Sequence, residues 1–289
     1  MKRRPLTRRP PSRGSWGRPV LAALLCAAVP RAAQCATAGT VTVSYDGYAH
    51  GLIALKLSAT LSMTNAAYTG RLTMRTAGMV AWLVHMDNDS QVEGKFAGDQ
   101  AVPESFASTG NLRGTERITH MTYQNGTPHI DVLSPPVEQE RTAVPPANTA
   151  ATMDTLSAMA QLMRMAGERG TCDGTAKLFD GRRLTALTAH TVGEEMLPVS
   201  GKSPYAGKTL RCDFEGTRLA GFVRSDSEAQ QRQPRHGTAW LAPLVPGAPP
   251  VPVRVMFENK LLGQMTMYLT SVSGSPGAVA QNAGRVQVP

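Results

Sequence analysis

Aromatic residues make up only 5% of this 289-residue chain. So thin a supply of Phe, Tyr and Trp argues against a surface built to stack bases or sugar rings. Cysteine is scarce as well, with four in all. None of them forms a C-x-x-C pair, which removes the common zinc and dithiol-redox motifs. No apolar run reaches the roughly 20 residues that a membrane-spanning helix needs. A G-x-S-x-G nucleophile elbow, an H-E-x-x-H pair and a phosphate-binding glycine loop are all missing, so no standard hydrolase, metalloprotease or nucleotide-binding signature is present. No cofactor or metal motif stands in their place.

Acidic residues are absent from the first 36 positions, which hold eight Lys or Arg. The apolar run "PVLAALLCAAVP" follows, and then the small residues "AAQCATAG". That order is a secretory signal peptide over residues 1–38, with cleavage near Ala36 or Ala38. An uncleaved anchor is the alternative. Neither Leu25 before Cys26 nor Gln34 before Cys35 suits lipidation of those cysteines. The expected location is the periplasm, with the membrane met only during export. Removing eight basic residues from 30 leaves 22 Lys+Arg against 21 Asp+Glu. The mature chain is therefore about neutral, and the high isoelectric point gives no support to nucleic-acid binding.

Two cysteines remain, Cys172 and Cys212. In an exported protein an even pair reads first as a disulfide, here closing a loop of about 40 residues and contributing about 4 kcal/mol. Two free thiols are the alternative.

From residue 40 to 132, short β-rich runs alternate with turn residues. "TVTVSYDGYAHGLIALKLSATLSM" divides at Asp46-Gly47 and Gly51, and Asn125-Gly126 is a strong hairpin signal. The Pro-rich stretch 133–150 reads as a connector. A helix is expected over 152–167, where Met153, Leu156, Met159 and Met163 recur at helical spacing. Thr152 or Asp154 would cap it, and Gly167 or Gly170 would end it. Strands resume with "GTAKLF", "RRLTALTAH", "KTLRCDFEG", "RLAGFVRS", "GTAWLAPL", "PVRVMFE" and "GQMTMYLTSV". The tail 271–289 lacks apolar periodicity and is expected to be disordered. The fold class is mainly β with one principal helix, in a single domain over 39–270.

Asp180-Gly181 lies between "AKLF" and "RRLTAL". It reads as a hairpin tip, with Arg182 and Arg183 starting the return strand. The alternative makes Asp180 a base and the arginines an anion clamp. A disulfide would then staple neighbouring elements of the sheet.

"LFDGRRLTAL", "YAGKTLRCDFEGTRLAGF", "WLAPL" and "PVRVMFENKLLGQMTMYL" together resemble the second half of a bacterial exported family known as domain of unknown function 3108. The helix "MDTLSAMAQLM" is similar to that family's "DPLS"-type helix, with Thr155 where proline is usual. "VSYDGYAHGLIALKLSATLSM" fits its opening strands. The resemblance covers most of residues 40 to 270. It implies an exported protein and an antiparallel curved sheet forming an open or half-closed barrel around the helix. That architecture would be similar to periplasmic lipoprotein carriers and receptors.

The titratable groups give little. His120 and His129 flank the Asn125-Gly126 turn and with Asp131 would make a metal site; two half-exposed strand histidines are the plainer reading. Glu194 and Glu195 are adjacent on a strand and point to opposite faces. Asp87 and Asp89 lack the glycine and glutamate of a calcium loop. Thirteen methionines lie beyond Met1. Methionine fills irregular space and recurs where varied apolar ligands bind. The expectation is a non-catalytic module for a lipid or a lipoprotein acyl chain, its pocket lined by Leu72, Met74, Leu156, Met159 and Met163. A loosely packed core is the plain reading of the same methionines. An envelope interaction module, binding a protein through the sheet edge or the Pro-rich connector, is the second functional reading. An enzyme assembled from distant residues is the third.

Overall fold

The computed structural model describes residues 39–259 and 262–276; the expected signal peptide lies outside them. Alternating burial along β1 (Gly39–Ala49) sets the pattern: Val41, Val43 and Tyr45 turn to the core and their neighbours face outward. That period of two is what a half-buried antiparallel strand requires. Hairpins continue through β2 (Leu52–Met63), β3 (Ala67–Thr76), β4 (Met86–Ala97), β5 (Gln100–Leu112), β6 (Thr115–Gln124) and β7 (Thr127–Ser134). A single-turn helix, α1 (Val80–Leu83), interrupts the β3–β4 link. The principal helix, α2 (Thr155–Arg169), follows. Then come β8 (Gly174–Phe179), β9 (Leu184–Leu197), β10 (Gly207–Ala220), the short α3 (Glu228–Gln231), β11 (Arg235–Ala242), β12 (Val251–Asn259) and β13 (Gly263–Pro276).

Among the described residues the strands form one antiparallel sheet, ordered β7-β6-β5-β4-β3-β2-β1-β13-β12-β11-β10-β9-β8. The first strand thus sits at the centre, paired with the last. The edges β7 and β8 do not pair, so the sheet is not closed by hydrogen bonds. Its two ends nevertheless meet through the β8–β9 turn, which packs on β6 and β7.

Asn125 and Gly126 both adopt positive φ between the paired Gln124 and Thr127, as the sequence predicts. Other readings are corrected. Asp46-Gly47 does not divide the first strand; the turn falls at His50-Gly51. Gly47 is in β1 because a Cβ there would stand 2.5 Å from Met267 Sδ. "KTLRCDFEG" and "RLA" form one strand, β10, and "GFVRS" lies beyond it. The expected disordered tail begins too early, since Ser271 to Pro276 pair with Ser44 to Gly39 in β13. Backbone pairing, which needs no apolar period, orders them. The connector 133–150 starts two residues later than expected and is packed. Leu133 and Ser134 belong to β7, and Val137 is buried. The Thr142 N–H donates to Phe222 O at 2.9 Å, and the Arg224 N–H to Glu140 O at 3.0 Å. Those bonds hold the segment against the β10–β11 link.

The helix begins at Thr155 and not at 152. Met153 instead bridges Leu178 like a strand residue, its N–H donating to Lys177 O at 3.0 Å. Asp154 caps the helix and Gly170 ends it with φ 67°. Both cysteines are buried and bonded to each other, with Cα atoms 6.2 Å apart. The bridge crosses β9, whose Thr191 pairs with Cys212 and accepts the Cys172 N–H at 2.8 Å.

The Asp180-Gly181 tip is a four-residue loop between paired Phe179 and Leu184. Arg182 and Arg183 belong to this loop and not to the return strand. Asp180 Oδ1 accepts the N–H groups of Arg182 and Arg183 at 3.0 and 2.8 Å, which tightens the loop and accounts for its length. Gly181 has φ 85°, and a Cβ there would stand 2.6 Å from Thr119 Cγ2. Gly181→Ala combines a left-handed backbone penalty with overpacking, so we expect a loss of about 2 kcal/mol. A urea unfolding midpoint equal to that of the wild type would show that the ends do not meet at this turn.

Candidate ligand-binding site

Helix α2 turns Leu156, Ala160 and Met163 toward the sheet, with Ala160 and Met163 buried. The spacing i, i+4, i+7 puts these three on one stripe. A buried relay fastens its start. The Tyr68 hydroxyl donates to Ser157 Oγ at 2.8 Å, and Ser157 Oγ donates to Asp154 Oδ2 at 2.5 Å. The Ser157 N–H donates to Asp154 Oδ1 at 2.9 Å. Burial pushes the Asp154 carboxyl above the ordinary carboxylate range, against the Ser157 bonds that favour its ionised form. Farther along, Gln161 Oε1 accepts the Ala101 N–H of β5 at 2.8 Å, and the Arg164 guanidinium lies 4.3 Å from the centre of the Phe96 ring.

Between this helix and the sheet lies a cavity of about 250 Å³. Its floor comes from β1 and β2, through Val41, Val43, Leu57 and Leu61. Val255, Phe257 and Met267 close it on the β12–β13 side. The wall is almost wholly apolar, and the Tyr45 hydroxyl is satisfied by donating to Pro252 O at 2.7 Å. Leu72, Leu156, Met159 and Met163 all line this space. Met74 does not. It faces an adjoining chamber of about 460 Å³, which shares Leu57, Leu72, Thr155 and Leu156 with the first.

The second chamber has charged and polar groups set in an otherwise apolar wall. Asn88, Ser90 and Ser108 line it and are hydrogen-bonded together. Asp180, Arg182 and Arg183 enter from the β8–β9 loop, joined by Arg117 and Arg141. Asp180 Oδ2 accepts Arg183 Nε at 2.5 Å. Burial raises the Asp180 carboxyl, but the Arg183 charge and the loop N–H donors outweigh it and hold it below the ordinary range. Arg182 donates to the carbonyls of Ser134 and Pro135 at 2.6 and 2.9 Å.

Sequence reasoning missed Arg117 and Arg141. They are 65 or fewer positions upstream of Arg182, and no local pattern links them to it. The other candidates do not converge. His190 is exposed beside Asp173 on another part of β9 and does not line the chamber that holds Asp180. His120 is opposite Val132, while His129 is opposite Thr122. Glu194 pairs with Lys208 and Glu195 with Arg211. Asp87 faces His85, and Asp89 is bonded to Arg71. No group of three or more potential metal ligands occurs among the described residues.

No curated protein matches this chain. Among solved structures, it is similar to one described as a beta-barrel-like protein of the domain of unknown function DUF1849 from Brucella abortus. The identity is 15% and the TM-score 0.48, over 82% of this chain and 98% of that one. The profile described as protein of unknown function (DUF3108) spans residues 40–270, and the chain belongs to that family.

Proposed function

We propose that this chain is a non-catalytic periplasmic binding module that takes up the apolar chain of a lipid or a lipoprotein. In this reading the sheet acts as a half-closed barrel, and α2 is the plug or lid whose inner face completes the pocket. The observation that supports it is the apolar cavity under α2, walled by Leu72, Leu156, Met159 and Met163. Methionines let such a wall adapt to chains of different length. Each methylene moved from water into it contributes about 0.8 kcal/mol, before the cost of association.

Met159 is 40% exposed and lines the cavity, so Met159→Glu is expected to fold. A carboxylate there would have to be desolvated beside the bound chain. We expect binding of the fluorescent apolar probe N-phenyl-1-naphthylamine to weaken at least tenfold. Probe affinity unchanged by the substitution would remove the cavity from the account.

A second reading has one observation in its favour. Met79, Trp82 and Leu83 stand 70%, 93% and 83% exposed around α1. An apolar tip of this kind marks an interaction surface, and an envelope protein is the partner this reading takes. Trp82→Ser would then abolish a specific pull-down while leaving probe binding intact.

A further inference from the structure

The chamber beside the apolar cavity holds more positive charge than its own carboxylates offset. Arg117, Arg141, Arg182 and Arg183 line it, facing Asp180 and Asp87. Glu140 stands against Arg117 as an ion pair. Two of the guanidinium groups are tied mainly to backbone: Arg141 to Gly221 O at 3.0 Å, Arg182 to Ser134 and Pro135. Carbonyl oxygens orient a guanidinium without neutralising it. Arg117 Nε is buried without a hydrogen-bond partner. An unmet buried donor is costly, and an unmet donor in a lined cavity suits an acceptor that arrives from outside.

The same crowding is felt by a fifth arginine. Burial, and next the charges of Arg183 and Arg141, bring Arg218 down to about 10. Burial and the neighbouring Arg183 likewise lower Arg141. Guanidinium forks match the two oxygens of a carboxylate or phosphate, so a cluster of them is an anion site by geometry as well as by charge. Thr155 and Leu156 add the first turn of α2 to the chamber wall.

We infer that the arginine-lined chamber seats the anionic group, carboxylate or phosphate, of a ligand whose apolar chain lies in the adjoining cavity, so that the protein takes up an anionic amphiphile. The inference rests on the proposed function above. The shared walls at Leu57, Leu72, Thr155 and Leu156 let one molecule occupy both spaces. The chain supplies hydrophobic affinity, and the head selects the ligand and fixes its direction.

The test compares dodecanoate, dodecyl phosphate, dodecanol and inorganic phosphate by isothermal titration on the full mature chain. We expect at least one of the two anionic amphiphiles to bind tenfold or more tightly than dodecanol, and the stronger of them names the head. Arg183→Gln and Arg117→Gln, both in the chamber wall, should each cut that preference severalfold and leave dodecanol unchanged. Far-ultraviolet circular dichroism reports whether each variant is folded. Dodecanol binding as tightly as both anions would overturn this inference and leave the apolar cavity standing. So would an anion preference that neither arginine variant reduces. Inorganic phosphate binding as tightly as dodecyl phosphate would also overturn it, because the head would then act without the chain. Binding of none of the four would overturn the proposed function itself.

Discussion

Replacing Cys172 and Cys212 together by alanine lowers the free energy of unfolding by about 4 kcal/mol, read from urea denaturation under non-reducing conditions. The bridge joins residues 40 apart in sequence, so it removes a large loop-closure entropy from the unfolded chain. Its place in the native sheet adds a local consequence. β8 is an edge strand paired with β9 over Gly174 to Phe179, and its outer side carries only the short bridge to Met153. Cys172 lies just before it and is tied across β9 to Cys212 on β10. Without the bond, β8 and the Asp180 loop beyond it should fray first. Amide exchange in Gly174–Phe179 should then accelerate more than in β1 or β13. The wild type treated with a reductant should follow the double variant. A loss under about 1 kcal/mol would mean that the bridge closes a loop already ordered in the unfolded state.

The next largest effect belongs to Asp154. Asp154→Ala removes the cap of α2 and leaves the buried Ser157 hydroxyl without its acceptor, while the Tyr68 hydroxyl keeps Ser157 Oγ. A lost cap costs about 1 kcal/mol, and a buried unmet donor costs about 2 kcal/mol more. The expected loss is therefore about 3 kcal/mol. Asp154→Asn keeps an acceptor for the Ser157 N–H and resembles the protonated acid. Because burial raises the folded-state carboxyl above its unfolded value, the folded protein holds this proton more tightly. The resulting stability is present below the unfolded value, about pH 4, and is lost as pH rises through the folded one. Measured against Asp154→Asn, the wild type should therefore lose stability as pH rises above about 4. A difference that stays constant from pH 4 to 8 would contradict this assignment.

The sheet was legible in the sequence wherever a residue type has a strong local cause. Asn125-Gly126 reads as a hairpin because both positions need positive φ. Alternation in "TVTVSY" reads as one buried face. The cap at Asp154 and the stop at Gly170 follow from the same local chemistry. Errors arose where a distant contact decides. Gly47 looks like a turn residue, but Met267 requires it small. Ser271–Pro276 look disordered, but Gly39–Ser44 supply their hydrogen bonds. Asp180-Gly181 looks like a two-residue turn, but the carboxylate gathers the N–H groups of Arg182 and Arg183 into a longer one. The candidate site divides in the same way. Helical spacing groups Leu156, Met159 and Met163, whereas the meeting of Arg117 and Arg141 with Arg182 depends on how the sheet brings its two ends together.

Native mass spectrometry of the protein purified from cells bears most directly on the central claim, that α2 and the sheet enclose a seat for an apolar chain. The account predicts a mass one amphiphile above that of the polypeptide, and a smaller bound fraction in Met159→Glu. A wild-type protein that carries the bare polypeptide mass, and keeps it after incubation with dodecanoate and with dodecanol, would contradict it.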